Sequence, residues 1–178
     1  MKVHWLLPVG AVAMPFAQVA YATQYMTVEQ AQRSAFPDAA QFEPVNVSAA
    51  VFAAAALPAG SAPKLWRVRA ADRAIGWLAV DQVIGKSELI TYAVAFDANG
   101  AVQSVEVLDY RESHGGEIRL AGWRKQFVGK TAADPVELNK DIKNISGATL
   151  SCRHVTEGVQ RLLKLHKSAL TAGSGNKP

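Results

Sequence analysis

The stretch from Glu88 to Asp97 constrains the fold more than any other. Ile90, Tyr92, Val94 and Phe96 alternate there with Leu89, Thr91, Ala93 and Ala95, a period of two that belongs to a strand and not to a helix. Asn99-Gly100 follows, a pair that accepts the left-handed backbone of a tight reversal, and Val102 to Tyr110 then runs on as a second strand. Upstream, Leu65 to Ala70 sets Trp66 and Val68 against Arg67 and Arg69, and Ile75 to Ile84 carries Trp77, Leu78 and Val80. These runs pair best as one antiparallel sheet, whose apolar face needs helices over it. The expected fold class is α+β: a single domain with a mostly antiparallel sheet covered by helices. The covers expected are the helix after Thr149 and the segment from Ile118 to Phe127.

Shorter signals fill in the rest of the chain. Thr27-Val28-Glu29-Gln30 reads as a capping box that opens a short helix, which Pro37 ends. Phe42 to Val47 suits an edge strand, because Pro44 has no N–H for a ladder. Ser48 to Leu57 is alanine-rich and helical in character, and Pro58, Gly60 and Pro63 mark a loop after it. The segments expected are a signal peptide over 1–22, a helical and edge-strand segment over 23–64, the main domain over 65–168 and a disordered tail over 169–178.

The signal peptide rests on Lys2, the apolar run from Trp5 to Ala17 and the Ala20-Tyr21-Ala22 cleavage pattern. Prolines at 8 and 15 break that run, which is short for a spanning helix. The expectation is therefore export to the periplasm, with membrane association left open. Without Lys2 the chain carries 18 Lys and Arg against 15 Asp and Glu, a net charge of +3. Such a charge is too small for a nucleic-acid footprint, so no nucleic-acid partner is expected. The lone Cys152 cannot form an internal disulfide, and the chain has neither a C-x-x-C-H haem motif nor zinc-like Cys/His spacing. Redox work in such a chain calls for an organic cofactor.

Two constellations carry chemistry. In the first, Ser146-Gly147-Ala148-Thr149-Leu150-Ser151 stands just before Val155, Val159, Leu162, Leu163 and His166, which fall at helical spacing. Thr149 thus lies at a helix N-terminus, where unpaired N–H groups and the helix dipole hold a phosphate without a side-chain cation. Gly147 and Ala148 leave room for a bulky ligand at the backbone. The plainer reading is that Ser146 or Thr149 caps the helix. The second constellation runs from Tyr110 to Lys130: a loop with Glu112, Ser113, His114, Gly115, Gly116 and Glu117, then Trp123 and Phe127 one helical turn apart. Here the plainer reading is a glycine-rich turn followed by core aromatics.

Both constellations resemble motifs of the FMN-binding domain family, whose members include the flavin-carrying subunits of Rnf-type and sodium-pumping NADH:quinone oxidoreductase complexes. In that family the last hydroxyl residue of an SGAT-like sequence is esterified to the phosphate of FMN by a flavin transferase, and Thr149 matches it. Glu112 and Ser113 match a Glu-Thr pair at the start of the family's glycine-rich loop. Trp123, Gln126, Phe127, Gly129 and Lys130 match its Trp-x-x-Gln-Phe-x-Gly-Lys segment. Two departures stand out: Lys143 takes the place of an aspartate, with Asp141 two residues earlier, and His114-Gly115-Gly116-Glu117 replaces a Pro-Gly-Leu-Gly sequence. The resemblance extends over roughly Leu65 to Leu165.

The resemblance implies an FMN cofactor linked by a phosphoester to Thr149. It also implies that Ser146, Gly147, Ala148 and Ser151 lie about the phosphate, with Glu112, Ser113 and Trp123 bordering the ring. The implied function is an electron carrier between a membrane-bound redox partner and an acceptor, with a flavin transferase for maturation and neither a metal nor a catalytic residue of its own. Two other readings stay open: a non-redox binding or assembly module without covalent flavin, and a flavoenzyme in which His114 donates protons. A Cys152–His154 nucleophilic pair is disfavoured, because residues two apart on a helix point in different directions. A metal site of His114, Glu112 and Glu117 is only weakly indicated.

Overall fold

The computed structural model describes residues 23–55, 57 and 62–174; the expected signal peptide and most of the loop at 58–63 lie outside them. Among the described residues the sheet has six strands: β1 (Thr23–Gln24), β2 (Gln41–Val45), β3 (Lys64–Ala70), β4 (Arg73–Ile84), β5 (Leu89–Asp97) and β6 (Val102–Tyr110). Their order is β1-β6-β5-β4-β3-β2, and every neighbouring pair is antiparallel. The α+β class and the hairpin that anchors it are as expected. Segment 23–64 is continuous with the rest, since β1 extends the sheet beyond β6 and β2 extends it beyond β3. Pro44 sits on the β2 edge, where its missing N–H costs no ladder bond. At the β5–β6 turn, Asp97 Oδ1 accepts the N–H groups of Asn99 and Ala101 at 2.8 and 3.0 Å.

The alternation of β5 feeds two cores. Ile90, Tyr92, Val94 and Phe96 pack under α4 (Thr149–Ser174), together with Ile118, Trp123 and Phe127. Those three come from a run of short turns: a 3-10 turn (Gly116–Arg119), α3 (Ala121–Arg124) and a second 3-10 turn (Lys125–Phe127). The helix α2 (Ala49–Ala54), with Ser48 at its N-cap, closes the β2–β3 end of the same face. On the opposite face Ala93 and Ala95 join Val68, Leu78, Val80 and Leu108, and α1 (Val28–Ala35) covers them with Ala31, Ala35 and Phe36. Alanines on that side let α1 come close. The Thr27 capping box is present, with side chain and backbone bonded reciprocally to Gln30.

The helix α4 runs to Ser174, into the segment 169–178 that was expected as a tail. The apolar period of that helix persists to Leu165 and His166 on the buried side, and nothing after it breaks the helix before Ser174.

Candidate functional site

The site forms where the start of α4 meets two loops. Ala148 donates its N–H to Ile145 O at 3.1 Å and accepts the Cys152 N–H at 2.9 Å, so it flanks the helix with a methyl that cannot cap. Thr149 is therefore the first helical residue and is exposed. Its Oγ1 accepts a hydrogen bond from Asn144 Nδ2 at 2.9 Å, which orients the hydroxyl and leaves its own proton and a lone pair to the outside. The amides of the first turn lack intrahelical acceptors and add their positive potential at the same place. Gly147, at φ +85°, has open space where a side chain would stand.

The loop after β6 forms one wall. Tyr110 Oη donates to His114 O at 2.5 Å and lies 3.0 Å from Ser151 Oγ. A phenol has one proton, and a carbonyl only accepts. The chain of donors therefore runs from Ser151 Oγ–H to Tyr110 and on to His114 O. Gly115, at φ +91°, lies so close beneath this network that a Cβ would stand 2.7 Å from Tyr110 Oη and 3.0 Å from Ser151 Oγ. Burial raises the Tyr110 pKa above its ordinary value, which keeps the phenol protonated as donor. The turn between β4 and β5 forms the other wall. Glu112 Oε1 accepts the N–H groups of Ser87 and Glu88 at 2.5 and 2.9 Å. Partial burial works against the Glu112 charge, but these amides outweigh it and hold the carboxyl below its usual range.

Between the walls lies a cleft of about 520 Å³, lined by Lys86, Ser87, Glu88, Glu112, Ser113, His114 and residues 147–151. The structure thus gathers Glu112, Ser113, Gly147, Ala148, Thr149 and Ser151 in one place. It does not bring Ser146 or Trp123 to that cleft. Ser151 is buried with its hydroxyl committed to Tyr110, so it props the wall and does not reach a ligand freely.

Trp123 has a different task. Its Nε1–H donates to Lys143 O at 2.8 Å, while Gln126 Oε1 accepts the Lys143 N–H at 2.8 Å. Both backbone groups of Lys143 are thereby held by the Trp-x-x-Gln segment, and Lys130 pairs with Asp141 at 3.0 Å just before it. This clamp presents the 144–149 loop. The Trp123 ring meets Phe127 edge-on at 5.1 Å, as a shared wall predicts, but it faces the core and a neighbouring apolar cleft of about 480 Å³ shared with Leu120, Gln126 and residues 143–145. The fold uses only the backbone at position 143, which explains how a lysine fits there.

Other expectations can be placed. Cys152 is buried, while His154 turns away to Ile84 O and Gly85 O, so the two form no pair. Among the described residues no group of three or more His, Cys, Asp or Glu is placed to hold a metal ion. Sequence reasoning missed Tyr110, Asn144 and Lys86 as parts of the site. Only Asn144, five residues before Thr149, carried a local signal.

A helix N-terminus with an oriented, exposed hydroxyl at the mouth of a cleft has a geometry that suits a phosphate-bearing ligand. Residues 85–164 match the family model of the FMN-binding domain. No curated protein is significantly similar to the chain. FMN is the cofactor of such a domain, and the residues present fit it. The first-turn amides and the Thr149 hydroxyl suit its phosphate. The volume of the cleft lies within the range of about 300–1,000 Å³ found for small-molecule sites. The chain is thus an FMN-binding flavoprotein.

Proposed function

We propose that this chain is an exported electron-transfer protein that carries FMN through a phosphoester to Thr149 and relays electrons between a membrane-bound reductase and an acceptor. One observation carries the covalent reading: the hydroxyl of Thr149 is exposed on the first residue of α4 and aimed by Asn144. A bulky transferase can reach such a group, and the helix terminus stabilises the anion left on it. Bound FMN takes up two electrons and releases them singly, which couples donors and acceptors of different electron number. The chain's own residues supply the rest: Asn144 aims the hydroxyl, Tyr110 and Ser151 hold the loop at 113–116, and Trp123 with Gln126 fixes the attachment segment.

Export is supported by the signal-like pattern ending at Ala22, and a covalent flavin suits an exported protein because it cannot be lost by dilution. No helix among the described residues is long and apolar enough to cross a membrane. A flavin transferase is the maturation partner. The reading is tested with Thr149→Val, produced beside a flavin transferase: the variant keeps the far-ultraviolet circular dichroism of the parent but retains no yellow colour after denaturation, whereas Ser146→Ala keeps the colour. Full colour in denatured Thr149→Val would place the link elsewhere.

A further inference from the structure

The β4–β5 turn facing Thr149 is tied down from two directions. From the loop after β6, Glu112 takes the N–H groups of Ser87 and Glu88. Gly85 provides the space, since a Cβ there would stand 2.7 Å from Glu112 Oε1. From α4, His154 Nδ1 lies 2.6 Å from Ile84 O and 2.9 Å from Gly85 O. Carbonyls only accept, so Nδ1 carries the proton. A hairpin turn closes without either tie, and both ties come from the elements that build the cleft.

Their joint effect is to hold Lys86 at the cleft that Thr149 also lines, with its side chain exposed. Lys86 is the one lysine or arginine among the described residues lining that cleft. Two amides meet the Glu112 carboxylate directly, and the Lys86 charge also favours it. Helix termini supply only about half a charge, so a phosphate there gains from a full cation nearby.

We propose that Lys86 is a phosphate-binding residue whose ammonium pairs with the FMN phosphate at the start of α4, and that Glu112 and His154 are positioning residues for its turn. The inference rests on the FMN reading but not on the covalent bond. The test uses the Thr149→Val chain, in which flavin binds only reversibly. Quenching of flavin fluorescence measures its affinity for FMN and for riboflavin, which lacks the phosphate, with and without Lys86→Gln. Loss of a charge-assisted contact weakens FMN binding about tenfold or more and lowers its sensitivity to salt, while riboflavin affinity stays unchanged. An equal loss for both flavins, or none for FMN, overturns the proposal alone. Binding of neither flavin would overturn it together with the cofactor reading.

Discussion

At the scale of single residues, the site depends on polar side chains that each tie several segments together. Tyr110 illustrates this: one phenol joins the end of β6, the loop at His114 and the first turn of α4. Tyr110→Phe preserves the packing but leaves the buried Ser151 hydroxyl and the His114 carbonyl without their partner. The expected cost is about 1–3 kcal/mol in urea unfolding, and the loop at 113–116 exchanges its amide hydrogens faster. An unchanged midpoint would mean that water replaces the phenol at no cost. None of this was legible beforehand, because Tyr110 and Ser151 are 41 residues apart and each looks locally like a strand end or a cap.

At the scale of elements, the antiparallel pairing and the two faces of β5 were legible because period-two alternation and a tight turn are local signals. So was the start of α4. The role of the Trp123 segment was not. Trp123 was picked out by resemblance as bordering the ring; its hydrogen bond to a backbone twenty residues on is encoded in no local pattern. The cover on the second face was likewise missed: the capping box identified α1, but nothing local says which side of the sheet it packs on. The clamp makes a direct prediction. Trp123→Phe keeps an aromatic ring in the core but leaves the Lys143 carbonyl unpaired, costing about 1–2 kcal/mol. Hydrogen exchange then rises across residues 143–149 while the sheet is unaffected. Uniform exchange changes would show a core defect and not a loosened clamp.

At the scale of the whole molecule, α4 links the site at its first turn to a buried histidine near its other end. His166 stacks on Phe96 at 4.9 Å and meets Trp77 edge-on at 5.2 Å. Burial lowers its pKa from 6.5 to about 4. A base with a depressed folded-state pKa takes its proton more readily when unfolded. Stability is then full above pH 6.5 and falls as pH drops toward 4, by about 3 kcal/mol in all. Asp81 acts in the opposite sense, because burial raises its pKa and acid relieves that penalty. Comparison with His166→Leu isolates the histidine: the variant's urea midpoints change less than the parent's between pH 6.5 and 4, and parallel curves would contradict the assignment.

The central claim, that α4 begins with a residue built to carry FMN, is tested most directly by weighing the protein. The full-length chain is produced with a flavin transferase in a host that exports it, and the intact mass of the denatured product is taken. The account predicts a gain of one FMN less one water, mapped to the peptide that contains Thr149. An unmodified mass beside an active transferase, or a flavin mapped to another residue, would contradict it.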